Sequence, residues 1–325
     1  LNAETVWLGL DVGGTKVAGA AVDEGGRVRE RAELPTLAGE GFHVSFGQVT
    51  AVARAILERA RARGWRVGGV GAGFPGPLDP RAGVLHNPPN LPGWDGAQVA
   101  ELLTDTLGLP VAVENDANAA ALGEAHYGAG RGFSLMVYFT LGTGVGGGVV
   151  HEGRLFAGAN GAAAELGHLV VQAGGEPCAC GGRGCLEAYV SGPALARRLK
   201  TALARDGAAA STGDGGGGAL TGEAVVEAVR RGDRVAVRVW EETMAYLAAG
   251  VVSAVHAFNP DAVVIGGGLA AAGDLLFEPL CRLVRQQGMS YLVRDLQIMP
   301  AALGRDAGVV GAGIVARDRL GGGKG

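Results

Sequence analysis

Two distant stretches of this chain follow the same plan. GLDVGGTKVAGAAVDEGGRV (residues 9–28) and FTLGTGVGGGVVHEGRL (residues 139–155) each read as strand, glycine turn, strand, turn, strand. Their offset is near 129 residues, too long for a solenoid period. The repeat constrains the chain to two lobes built on one hairpin, each offering a glycine turn to a shared cleft. Two unrelated glycine-rich hairpins are the alternative, since a hairpin constrains sequence only loosely.

The chain has room for both lobes: 325 residues, 48% of them apolar and 18% charged, which describes a globular protein with a sizeable core. Its 60 glycines lack a collagen period and gather in a few places, as backbone turns with a task would. Net charge is −4 and there is no basic stripe, so no nucleic-acid surface is expected. The apolar stretch from Met244 to Phe258 is too short to span a bilayer and contains His256, so it reads as a buried helix and no membrane partner is expected. The first residues show no basic leader, and a cytoplasmic location is expected from that.

Short apolar runs at Val6–Leu10, Val67–Phe74, Pro110–Glu114, Ser134–Leu141 and Asp261–Ile265 read as strands. Helical spacing marks Val49 to Ala60, Val99 to Leu107, Asp116 to Tyr127, Pro193 to Ala204, Trp240 to Phe258 and Asp306 to Ala316. Strands alternating with helices make the class α/β.

Four places carry chemistry. In Asp11-Val12-Gly13-Gly14-Thr15-Lys16, glycines let backbone N–H groups approach an anion, and Asp11 could hold Mg²⁺ through water. Lysine is scarce here, so Lys16 inside a glycine turn stands out; an ordinary hairpin with an exposed lysine is the alternative. Gly142-Thr143-Gly144-Val145-Gly146-Gly147 fits the dinucleotide pattern, but a strand follows it instead of a helix, so a second phosphate turn fits better. Gly266-Gly267-Gly268 follows a strand and reads either as a nucleotide platform or as a close packing point. Asp116 opens a helix and reads either as its N-cap or as a general base for a hydroxyl.

His168, Cys178, Cys180 and Cys185 form H-x9-C-x-C-x4-C. Cys178 and Cys180 are too near in sequence for a relaxed disulfide. Three thiolates and an imidazole complete a closed tetrahedron for structural zinc, with His151 as a rival fourth ligand. Cys281 reads as a buried core thiol in a helix. Glu165, His168 and Glu187 would be held near one another by such a knuckle, as recognition of a polyhydroxylated ligand requires.

Taken in order, DVGGTK, GFPGPLD, ENDANAAALGE, LGTGVGGG, ELGH, CACGGRGCLEAYVSG and VVIGGG resemble the ROK family of sugar kinases. The cysteine knuckle is the most specific of these; the glycine turns are individually weak. The resemblance implies a two-lobed actin-like (ribonuclease H-like) ATPase fold, with a central cleft for ATP and sugar and the zinc knuckle in the larger lobe. Residues 1–117 plus about 302–325 would form the small lobe, and 118–301 the large one. Asp116 would be the base for a sugar C6 hydroxyl. Asn90, Asn115, Glu165, His168 and Glu187 would bind sugar hydroxyls, with His168 using one ring nitrogen for zinc and the other for sugar. Asp11, Gly13, Gly14, Thr15, Lys16, Thr143 and Gly144 would surround the phosphates and Mg²⁺, and Gly266, Gly267 and Gly268 would back the nucleotide. A homodimer or higher homo-oligomer is usual for such proteins.

The expected activity is ATP-dependent phosphorylation of a hexose at C6, glucose first. N-acetylglucosamine, N-acetylmannosamine, mannose or fructose are alternative acceptors, and polyphosphate an alternative donor. A sugar-sensing protein without turnover is the different-class alternative. Regulatory relatives place a helix-turn-helix before the sugar domain, for which the sequence ahead of DVGGTK leaves no room, so an enzyme is expected. The loop from Asp206 to Ala219 is more glycine-rich than the family pattern needs.

Overall fold

A computed structural model describes residues 3–206 and 220–321. Nearly all of the glycine-rich loop noted above therefore lies outside the described residues. The chain divides into two compact units. The first is Leu1–Phe133, Gly148–Ala164 and Ala302–Gly325; the second is Ser134–Gly147 and Glu165–Ala301.

The first unit is built on a five-stranded sheet. Its strands are β1 (Thr5–Val12), β2 (Lys16–Asp23), β3 (Val28–Pro35), β4 (Arg66–Phe74) and β7 (Val111–Asn115); a short hairpin, β5 (Leu78–Asp79) and β6 (Val84–Leu85), precedes β7. The order is β3-β2-β1-β4-β7. The first three strands are antiparallel neighbours, while β4 and β7 join parallel. Side chains alternate across β1. Val6, Leu8 and Leu10 enter a core shared with Val49, Val52 and Ile56 of α1 (Phe42–Ala62), and with Val99 and Leu103 of α2 (Val99–Leu107). Trp94 is fully buried in that core and donates its indole N–H to Ser45 Oγ at 2.8 Å.

Gly9 faces the other way, toward α10 (Ala307–Leu320), and space is short there. A Cβ on Gly9 would come within 1.9 Å of the Val309 carbonyl oxygen, and one on Gly71 within 1.8 Å of that of Ala312. The same helix crosses α3 (Asp116–Tyr127) backbone to backbone, where a Cβ on Gly311 would lie 1.6 Å from the Ala119 carbonyl oxygen. These glycines are packing devices and not turns. The domain boundary expected at residue 117 falls at the start of α3, and α3 groups with this first unit.

The second sheet has the order β10-β9-β8-β11-β12. Its strands are β8 (Leu135–Leu141), β9 (Val145–His151), β10 (Arg154–Leu155), β11 (Ala262–Gly266) and β12 (Gln297–Pro300). Two hairpin strands lie on one side of β8, and two parallel strands on the other. That order matches the first sheet position for position, so the sequence repeat is also a repeat of topology. The chain passes from the second unit to the first within β9, after Gly147.

Among the described residues, six α-helices complete the second unit: α4 (Glu187–Val190), α5 (Gly192–Arg205), α6 (Gly222–Arg230), α7 (Arg234–Phe258), α8 (Asp274–Gln287) and α9 (Ser290–Val293). The Asp233 side chain caps α7 by accepting from Val235 and Ala236 N–H. Trp240, Met244, Leu247, Val251 and Val255 bury one of its faces. Cys281 sits in α8 but is only half-buried, less enclosed than its sequence context suggests. Among the described residues, no helix is long and apolar enough to cross a membrane.

Candidate active site and metal knuckle

Strand β7 ends and α3 begins at Asn115 and Asp116. Asn115 is the N-cap: its Oδ1 accepts from the N–H groups of Ala117 at 3.0 Å and Asn118 at 3.1 Å. The capping role that the sequence offered to Asp116 thus belongs to its neighbour. Asp116 is the first helical residue and half-buried, and its Oδ1 accepts from Ala117 N–H at 2.7 Å. Gly73 on β4 makes room for this start, since a Cβ there would lie 3.3 Å from Asp116 Cα.

The first glycine turn joins β1 to β2. It is closed by Gly13 N–H donating to Lys16 O at 2.9 Å. Thr36 braces it from beyond β3: its hydroxyl donates to Gly13 O at 2.5 Å and its N–H to Thr15 O at 3.0 Å. A Cβ on Gly14 would come within 2.7 Å of Asn90 O, so the turn and the Asn90 backbone are in contact. Burial pushes the Asp11 carboxyl above the usual range, while Lys16 and Arg31 pull it down. A divalent cation would offset that burial, so Asp11 fits the Mg²⁺ role in its chemistry. Lys16 is half-exposed and pairs with Glu33 at 3.6 Å, so its ammonium is engaged at the edge of the hairpin.

The second glycine turn joins β8 to β9. Gly142 N–H donates to Gly144 O at 2.9 Å, and Gly142 O accepts from Gly192 N–H, at the start of α5, at 2.8 Å. Glu187 holds the other side: its Oε2 accepts from Val145 N–H at 3.0 Å. A Cβ on Gly144 would lie 2.6 Å from that oxygen. Thr143 is exposed at the tip.

The structure gathers His168, Cys178, Cys180 and Cys185, with all four ligand atoms within 4.8 Å of one another. Cys178 Sγ is 3.6 Å from His168 Nδ1, and Cys180 Sγ is 3.7 Å from Cys185 Sγ. Ligand bonds of about 2.0–2.3 Å at tetrahedral angles give edges of about 3.5–3.8 Å; these two separations match such edges, so the four residues could hold a zinc ion. Burial pushes the Cys178 thiol up to about 12 and that of Cys185 upward, while the Gly182 N–H pulls Cys180 down. Thiols raised in this way are ones a bound cation would deprotonate. Nδ1 is the imidazole nitrogen facing the cysteines, which leaves Nε2 as the nitrogen for a second partner. His151 is exposed at the end of β9 and is outside the cluster.

His168 ends a short 3₁₀ turn, Leu166–His168, directly after Glu165. Burial raises the Glu165 carboxyl; His168 opposes the shift and the charge of Glu187 adds to it. Glu187 Oε1 lies 3.8 Å from Cys178 Sγ, so one carboxylate spans from the knuckle to the second glycine turn. Gly266 and Gly267 have packing reasons of their own. Cβ atoms there would meet Tyr138 Oη at 2.4 Å and Leu141 O at 2.3 Å, and Gly267 has φ +84°. Gly268 opens the turn that leads toward α8.

The expected site residues therefore form two sets. Asp11, Gly13, Gly14, Thr15, Lys16, Asn90, Asn115 and Asp116 belong to the first unit. Thr143, Gly144, Glu165, His168, Glu187, the cysteines and Gly266 to Gly268 belong to the second. Thr36 and Glu114, which support these sets, were not singled out from sequence. A threonine hydroxyl under a turn leaves no local signal, whereas Glu114 was visible as an acid one residue before a cap.

Paired hairpin sheets, a glycine turn in each and a His-Cys₃ knuckle define a class, and the chain belongs to it: the ROK family model matches residues 7–319. The glucokinase of Thermotoga maritima is 37% identical over 316 residues, spanning 97% of this chain and 98% of that protein. The N-acetylmannosamine kinase of Citrobacter koseri is 33% identical over 310 residues, spanning 95% and 98%. Among solved structures, a ROK family glucokinase from Streptomyces griseus, in complex with glucose and AMPPNP, superposes with a TM-score of 0.80 at 36% identity, covering 96% of this chain and 99% of that one.

Proposed function

We propose that this protein transfers the γ-phosphoryl group of ATP to the C6 hydroxyl of glucose. The observation that carries the reading is the strand-to-helix junction at the start of α3, where Asn115 caps the helix and the half-buried carboxylate of Asp116 is its first residue. Support comes from two similar glucokinases, one of them solved with glucose and a nucleotide analogue.

In this reading Asp116 accepts the proton of the attacking hydroxyl as the oxygen engages phosphorus, and the bond to the leaving ADP breaks in line. Asn90, Asn115, Glu165, Glu187 and His168, through Nε2, hold the sugar hydroxyls. The turn amides around Gly13, Gly14, Thr15, Thr143 and Gly144 take the phosphates, and Gly266 to Gly268 back the nucleotide. Asp11 would hold Mg²⁺, which when bound neutralises charge on the phosphate oxygens. Zinc held by His168, Cys178, Cys180 and Cys185 would be structural, since four protein ligands leave no open position. Lys16 contributes through the field of the first turn, its ammonium being paired with Glu33. The protein is expected to act in the cytoplasm as a homodimer or higher homo-oligomer, which ultracentrifugation tests.

ADP release measured with ATP and a panel of hexoses tests the reading. Glucose should give the fastest turnover. The panel includes N-acetylmannosamine because a 33%-identical relative is a kinase for it. Faster turnover on an amino sugar would replace glucose with that acceptor. Sugar binding without ADP release would replace the enzyme with a sensor.

A further inference from the structure

Glu114 is the penultimate residue of β7, directly before the Asn115 cap, and is 2% exposed. The proposed reaction makes no use of it, yet both of its oxygens are engaged. Oε1 accepts from Asn115 N–H at 2.9 Å and from the Asn118 side-chain amide at 3.1 Å. Oε2 accepts from the Arg319 guanidinium. Arg319, near the end of α10, also donates to Val113 O at 2.7 Å. One carboxylate therefore grips the N–H of the residue before Asp116 and the side chain two residues after it, and is itself held by the last helix.

Stability alone gives no reason for this arrangement. Glu114 is buried but the Arg319 side chain is 39% exposed, and an ion pair open to solvent on one side adds little to stability. Geometry does give one. A carboxylate held at both oxygens is a rigid two-sided acceptor, and it fixes the Asn115–Asn118 backbone from which the Asp116 side chain projects.

We propose that Glu114 and Arg319 are positioning residues that set the bearing of Asp116. The proposal rests on the reading of Asp116 as the base. It differs from a purely structural role in what it predicts for the reaction. A general base out of place by a fraction of an ångström slows the chemical step and leaves nucleotide binding intact.

The test uses the full chain with Glu114→Gln, Arg319→Met and Arg319→Lys. The glutamine keeps volume but can turn an NH₂ toward the guanidinium, donor against donor. Glu114→Gln and Arg319→Met should each lower kcat by about 10- to 100-fold, with KM for ATP within about twofold of wild type. Arg319→Lys should recover part of the loss. Hydrogen exchange of peptides covering residues 112–122 should be faster in the first two variants, and thermal unfolding reports whether each is folded. Unchanged kcat in folded variants overturns the proposal. So does a kcat loss matched by an equal rise in KM for ATP, and so does unchanged exchange at residues 112–122. If the wild type turns over no hexose, the reading of Asp116 fails, and the exchange measurement alone decides whether Glu114 locks the turn.

Discussion

The two glycine turns occupy equivalent places in equivalent sheets, yet they are braced by different means. The first is supported by Thr36, whose hydroxyl and N–H both reach it from the strand side of its own hairpin. The second is supported by the start of α5 and by Glu187, a carboxylate that also approaches Cys178. A neutral hydroxyl just beyond β3, with the Asn90 backbone beside Gly14, makes a turn whose shape does not depend on the metal-sized cluster. A carboxylate anchored beside a metal-sized cluster makes a turn whose shape depends on that cluster. The shared plan thus carries one turn that is independent of the cluster and one that is conditional on it.

The largest expected effect sharpens the contrast by leaving both turns alone. Asp116→Ala should lower kcat by about 10²–10⁴-fold, the usual scale for loss of a general base, without changing metal content or unfolding temperature. Near-normal turnover would remove Asp116 from the chemistry. Next is Cys180→Ser. It should abolish bound zinc and destabilise the second unit by about 4–5 kcal/mol or more, as loss of a structural metal does. Zinc analysis and hydrogen exchange read this: peptides around Gly144 should lose protection while those around Gly13 keep it. Equal loss at both turns would break the comparison, and a wild type without zinc would remove its premise. Gly144→Ala should follow. Its Cβ would overlap Glu187 Oε2 and cost about 1–3 kcal/mol in strain, and KM for hexose and for ATP should rise together. A rise for ATP alone would show that Glu187 is not shared. The smallest effect is expected from Thr36→Val, about 0.5–1.5 kcal/mol for loss of one part-buried hydrogen bond to Gly13 O. Denaturant midpoints should show it, with metal content and the second turn untouched.

What could be read from sequence was what is local. The cysteine knuckle was legible because four ligands fall within 18 residues, His168 to Cys185. The bounds of α3 were legible because an alanine-rich run begins directly after a strand. What turned on a single hydrogen bond was not. Asn115 and Asp116 are both good caps, and only the extended backbone of Asn115 decides between them. The sequence offers Lys16 as a phosphate-side residue, and its pairing with Glu33 comes from a cross-strand neighbour that spacing along the chain does not show. The triple glycine after β11 reads as a nucleotide platform or as a packing point, and the close approach of Gly266 and Gly267 to Tyr138 and Leu141 on the neighbouring strand is a contact no local pattern shows. Arg319 lies 205 residues from Glu114, and no spacing rule reaches that far.

The glycine seats that receive α10 have a consequence for how the molecule is made. Residues 307–320 are synthesised after every strand they cover, so the nascent first unit waits with one sheet face open. The second unit ends at Ala301 and meets no such delay. Ribosome-bound chains stalled before α10 emerges should therefore resist protease around the knuckle while residues 5–74 are still cut. The N-terminal sheet, first to leave the tunnel, would be the last part of the protein to mature.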